Sequence, residues 1–312
     1  MKVAVIGHPG ELLNATVAEL ERRGMTVSDK QAECAICLAP EMVEAALATA
    51  QLRRLVLRST AYVYGANSMN PGLLTEDRIS LLPPAATEQR WLRAEEIAQK
   101  FPSTAILRMS SILSTQEGDL IVSRLAGKSS VTPAGFDPNV QFLSVRDAAA
   151  ALVSAAASSA TGVFNAGGAG AIPLRKAFRA SGTGRFPLSG GVKLQAMQYS
   201  WTVSGERAER ELGFVPSQTS IEALAEFLKN KPGARPDLLA KSYDEFGLDV
   251  DYIRAWGWWF AFLRKVYWRI EHEGLENIPD VGRGMFVSNH RGFMPLDAVM
   301  HLSLILTHRQ RI

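Results

Sequence analysis

Lys2-Val3-Ala4-Val5-Ile6-Gly7-His8-Pro9-Gly10 opens the chain, and Glu11–Arg23 follows it. The first five of these are short, apolar and β-branched, which predicts a buried strand. Gly7 to Gly10 is a turn. Leu12, Leu13, Val17 and Leu20 fall on one face of a helix that Gly24 stops. A strand, a glycine turn and a helix make an opening in which backbone amides can meet a pyrophosphate. Outward from it, apolar runs recur at Ala32–Ala39, Arg54–Gly65, Thr104–Arg108, Val140–Asp147 and Gly162–Gly168. Helical stretches lie between several of them, such as Glu41–Ala50 and the segment around Ala94–Ala98. That alternation predicts an α/β protein with a parallel sheet.

Composition narrows the function. The chain has 312 residues, 47% of them hydrophobic, 21% charged, with a net charge of +3. It carries no basic run, which excludes a nucleic-acid-binding patch. Cys34 and Cys37 are the two cysteines. Three apart on a strand, they point to opposite faces and cannot form a disulfide, which suits a reducing cytoplasm. Met1–Gly7 is too short an apolar run for a signal peptide. The longest apolar stretch, Ala255–Leu263, falls well below the ~20 residues of a membrane-spanning helix.

Together with Glu209-Arg210-Glu211-Leu212-Gly213-Phe214-Val215-Pro216 and the helix Ile221–Leu228, these segments resemble the extended short-chain dehydrogenase/reductase family, the NAD-dependent nucleotide-sugar epimerases and dehydratases. The resemblance covers residues 1–229. It implies a Rossmann-like, doubly wound parallel sheet that binds NAD(P). Gly7 and Gly10 would face the pyrophosphate, Asp29 would hold the ribose, and Thr60 would be the hydroxyl of the catalytic set.

The departures are specific. Leu13 stands at the third glycine position. Aligned on the helix Ala94–Ala98, Thr87 takes the place of the catalytic tyrosine and Trp91 that of the lysine. The general acid/base and the cation that tunes it are both missing. Thr26–Asp29 leaves only Lys30–Glu33 before the next strand, whereas a parallel crossover takes about a dozen residues. The expectation is a shortened, degenerate sheet lacking its adenosine-binding half, without redox turnover.

Residues 230–240, with Pro232-Gly233-Ala234-Arg235-Pro236, read as a linker, and 241–312 as a second domain. Trp256, Trp258, Trp259 and Trp268 crowd together with basic residues, a pattern that suits a membrane interface. Glu273-Gly274-Leu275-Glu276-Asn277-Ile278-Pro279, then Ser288-Asn289-His290, resembles the start of the glycerolipid (lysophosphatidic-acid type) acyltransferases. The resemblance implies His290 as general base and Asp297 as its orienter. The base deprotonates an acceptor hydroxyl that attacks an acyl thioester of coenzyme A or acyl carrier protein. It also implies a strand at Met285–Val287 leading to the His.

The family spacing is His-x4-Asp, and here six residues intervene. The family's later blocks have no counterpart. The expected second part is thus an incomplete α/β acyltransferase segment, inactive as it stands, inclined to self-association and peripheral at the inner membrane face. Two other readings stay open. One is an active NAD(P)-dependent nucleotide-sugar epimerase or reductase with a dispensable tail. The other is a non-catalytic nucleotide- or membrane-binding module.

Overall fold

With one exception, the apolar runs assemble into a single parallel sheet. The computed structural model describes residues 1–28, 31–78, 86–188, 197–239, 256–278, 285–290 and 296–309. Its main strands are β1 (Lys2–Ile6), β2 (Thr26–Val27), β3 (Cys34–Cys37), β4 (Arg54–Thr60), β5 (Thr104–Met109) and β10 (Gly162–Ala166). They lie in the order β10-β5-β4-β3-β1-β2, every neighbouring pair parallel. Helices α1 (Glu11–Arg22) and α5 (Val145–Ala157) pack together on one face. Helices α2 (Val43–Leu47) and α3 (Ala86–Ala98) cover the other.

Period-two alternation explains the two layers. Cys34 and Ile36 join Leu12, Leu20 and Leu152 on one side. Ala35 and Cys37 join Val43, Leu57 and Ala98 on the other. The two thiols are therefore buried, unpaired and on opposite faces, as expected. Burial pushes Cys34 up to about 12 and Cys37 up to about 11. Neither should react with iodoacetamide at pH 8 in the folded protein, and both should label in denaturant. Labelling of the native protein, read by mass spectrometry, would contradict this burial.

The exception is Val140–Asp147. It forms β8 (Asn139–Val140) and β9 (Phe142–Leu143), and then the Ser144 side chain accepts from the Asp147 amide and starts α5. Asp147 is thus helical, and its carboxylate accepts from Ser217 and Gln218. These strands belong to a second lobe. There β8 pairs with β11 (Ile172–Pro173), β9 with β6 (Ser111–Ile112), and β7 (Ser129–Pro133) with β12 (Gly184–Leu188). Helices α4 (Leu120–Ala126), α6 (Leu174–Ser181), α7 (Glu206–Leu212) and α8 (Ser220–Leu228) complete the unit. The lobe's core holds Tyr64, Phe142, Phe178, Trp201 and Leu224.

The chain divides into Met1–Gly247 and Leu248–Ile312. The expected linker 230–240 is docked instead of free. The Arg235 amide donates to the Ala180 carbonyl at 2.7 Å, Lys231 Nζ donates to the Ser181 carbonyl at 2.6 Å, and Leu239 is buried.

In the second unit the aromatic run forms a helix over Gly257–Phe262 that continues as a wider turn over Leu263–Tyr267. The expected strands are not there. Leu275–Asn277 is a 3-10 turn, and Met285–Val287 is exposed and belongs to no strand. An extended segment becomes a strand only beside another backbone, and no strand of this unit lies among the described residues.

Candidate functional site

The C-terminal edge of a parallel sheet is where ligands of such folds bind, and β1 delivers Gly7 to it. A Cβ on Gly7 would meet Leu38 Cβ at 2.8 Å, so this glycine is required by the close approach of the chain leaving β3. Leu13, at the missing third glycine, packs partly buried against the core, which absorbs its side chain. His8 Nε2 lies 2.5 Å from Glu41 Oε1 in an exposed pair. The His8 hydrogen bond holds the Glu41 carboxyl below its usual range. A carboxylate at this mouth disfavours a phosphate.

On the far side of β1 the described sheet is short. β2 is a true parallel strand but pairs only Thr26 with Lys2 and Val27 with Val3. It stops four residues short of Gly7, a rise of roughly 13 Å at about 3.3 Å per residue. The Ser28 amide donates to the Val3 carbonyl and the Glu33 amide to the Lys2 carbonyl. This explains how a short link suffices: both flanking strands begin at the lower end of β1. Asp29 lies outside the described residues.

At the catalytic end, Thr60 closes β4 and its side chain accepts from the Tyr62 amide. Trp91 is buried, with the Arg58 guanidinium 4.7 Å above its ring. Arg58 pairs with Glu117 at 3.2 Å. Burial pulls the Arg58 pKa down, and the charges of Glu117 and Asp119 oppose it. The Tyr62 hydroxyl donates to Asp119 at 3.2 Å, and its ring stacks 4.1 Å from Trp201. Burial and the Asp119 charge push this phenol well above its usual range, so it cannot serve as a base at neutral pH.

Behind these, Glu95 accepts from Ser59 at 2.5 Å and from Arg108 at 2.7 and 3.1 Å. These residues do not fit NAD(P) as a hydride carrier. The described strand on the ribose side, β2, has two residues, and the acid/base positions hold a threonine and a buried indole. The sequence reading missed Arg58, Gln116 and Glu117, because their partners are distant in the chain.

A groove of about 710 Å³ opens instead beyond β10, along Gly167–Gly170. Glu206, Glu209 and Glu222 line it, so it repels a diphosphate. Among the described residues no group of His, Cys, Asp and Glu could hold a metal.

In the second unit His290 and Asp297 do meet. His290 Nδ1 lies 2.9 and 3.0 Å from the two carboxylate oxygens. Asp297 sits in the first turn of the helix Leu296–Arg309 and also accepts from the Ala298 amide. The His290 hydrogen bond, with that amide, holds its carboxyl below the usual range. A cavity of about 590 Å³ includes Asp297, with Trp268, Phe286, Met300 and Leu304 on its apolar side and Glu271, His272, Glu273 and His301 also in its wall.

Solved structures share this sheet. UDP-glucose 4-epimerase of Thermotoga maritima with UDP-glucose aligns with a TM-score of 0.59 at 15% identity, over 73% of this chain and 98% of its own. MoeE5 with UDP-glucose and NAD gives 0.60 at 18%, over 73% and 98%. The dTDP-glucose 4,6-dehydratase of Bacillus anthracis with NAD gives 0.57 at 15%, over 73% and 96%. The fold is that of the nucleotide-sugar epimerases and dehydratases.

No protein-family model matches the chain. Uncharacterized protein Rv0501 of Mycobacterium tuberculosis is 29% identical over 208 residues, 58% of this chain and 55% of its own length. The chain thus spans about half the length of that relative. A second protein of the same organism, Rv0502, matches 63 residues at 38% identity, 19% of this chain and 17% of its own. No helix of the described residues is long and apolar enough to cross a membrane.

Proposed function

We propose that the epimerase/dehydratase-type unit is a scaffold without redox turnover, and that the reactive group of this chain is the His290–Asp297 pair. The observation that carries the first half is Trp91, buried under Arg58 where the fold would need a lysine. The second half rests on the His290–Asp297 distance and on the cavity beside it. An imidazole oriented by a carboxylate is a general base for a hydroxyl. The apolar side of this cavity suits an acyl chain, so the reaction class we assign to the whole protein, of which this unit is an incomplete part, is acyl transfer from a coenzyme A or carrier-protein thioester to a lipid hydroxyl.

The comparisons favour a second reading, an active NAD(P)-dependent nucleotide-sugar epimerase or reductase. Several of the similar solved structures are complexes with NAD or UDP-glucose. One assay separates the two. The chain is incubated with UDP-glucose and NAD, or with NADPH and a 4-keto sugar nucleotide, and followed by product chromatography and absorbance. No conversion is expected, and turnover above buffer would establish the second reading.

The exposed aromatic surface of the second unit, with Trp258 69% and Trp259 38% accessible, is assigned to a membrane interface. The full chain should float with anionic liposomes, and the double change Trp258→Ala and Trp259→Ala should abolish flotation. Unchanged flotation would remove these rings from the interface.

A further inference from the structure

The first amides of a helix have no partner within it, and in a dinucleotide fold a phosphate accepts from them. In this chain the place is taken from within. No side chain caps α1 at Gly10. Instead Gln116 Oε1 accepts from the Glu11 amide at 2.9 Å. A Cβ built on Gly10 would stand 3.0 Å from that same oxygen. A phosphate oxygen accepting from the Glu11 amide would have to displace this side chain.

Gln116 is held there by its neighbours on both sides. The Gln116 amide donates to Ser114 Oγ at 3.2 Å. Glu117 reaches the nearly buried Arg58 at 3.2 Å. Gly118 turns through a left-handed φ of 68°, which a glycine adopts without strain. Asp119 accepts from the Ile121 and Val122 amides at 2.8 and 2.9 Å, and from Tyr62 at 3.2 Å. Three successive side chains thus latch one loop across the mouth, to α1, to β4 and to the turn after β4.

We propose that Ser114–Asp119 is a built-in plug. Its Gln116 carboxamide occupies the anion position of α1 and closes that helix end to a diphosphate. The plug is independent of the missing acid/base pair, so either can fail without the other. It also supplies a helix cap that a bound cofactor would otherwise supply, which lets the sheet stand unliganded.

The probe is inorganic pyrophosphate at millimolar concentration, and the readout is thermal unfolding of the full chain. Wild type should show no shift. Gln116→Ala should melt about 2–4 °C lower through loss of one cap, and should then gain an upward shift with pyrophosphate. Gln116→Glu keeps an oxygen on the Glu11 amide, so it should stay unresponsive to pyrophosphate.

Its carboxylate would be favoured at the positive helix end, with a folded pKa below the unfolded one. Its extra stability is therefore present above the usual carboxylate range and is lost as pH falls through it. A pyrophosphate shift in wild type or in Gln116→Glu would overturn the plug, as would a Gln116→Ala protein that folds and does not respond. If Gln116→Ala does not fold, the Gln116→Glu measurement decides.

Discussion

Glu95→Ala is expected to destabilise the first unit by about 3–5 kcal/mol, the usual cost of leaving one member of a buried ion pair alone. Glu95 is 2% exposed and stands between Ser59 and Arg108. Arg108 itself lies 4.7 Å over the Tyr64 ring, and Tyr64 bonds Asn165. Burial pulls the Arg108 pKa down, and the Glu95 carboxylate more than offsets it, leaving the guanidinium raised above its ordinary value. Without Glu95 that cation stays buried and unpaired.

The measurement is the urea midpoint at constant slope. Glu95→Gln retains an acceptor for Ser59 but not the charge, so it should fall between wild type and Glu95→Ala. Adding Arg108→Met to Glu95→Ala should recover part of the loss. A Glu95→Ala change of under about 0.5 kcal/mol, the range of an ordinary surface substitution, would mean that the pair is not buried as described.

Trp91→Lys, which restores the fold's usual cation, should also cost about 3–5 kcal/mol, as expected for losing a buried aromatic side chain. The Arg58 guanidinium is 4.7 Å from the ring it would lose. A lysine ammonium there would face the like charge of Arg58, whose carboxylate neighbours are Glu117, at 3.2 Å, and Asp119. Neutralising the lysine is the less costly outcome, and that removes the property for which the position is used in redox catalysis. The double variant Thr87→Tyr with Trp91→Lys should therefore regain no sugar-nucleotide conversion. A double variant as stable as wild type that turns over UDP-glucose would show that only two side chains separate this domain from activity.

The layers of the first unit were legible because they rest on local periodicity. Val3, Cys34, Ile36 and Val56 fall on one face by a period of two, and any strand must present them so. The short β2 was legible too, because chain length alone limits a crossover. The run Val140–Asp147 misled because apolar content does not distinguish a strand from the start of a helix. The Ser144 cap marks that boundary, and a serine three residues before an aspartate is a weak signal.

At the sites, the chain order located His290 and Asp297, and the structure brings them to hydrogen-bonding distance. The strand before His290 failed for the opposite reason. Met285–Val287 is apolar enough for a strand, but a strand is a relation between two backbones.

By itself the sequence determined the parallel sheet, the separate fates of the two thiols, the absent tyrosine and lysine, and the histidine–aspartate pair. Each follows from residue type and spacing within a short window. Only the tertiary structure decided that Gln116 reaches Glu11, that Glu117 answers Arg58, and that Arg58 covers Trp91. These partners lie 105, 59 and 33 positions apart. No local pattern encodes such contacts, because they form only when the sheet brings the ends of β1, β4 and β5 to one edge.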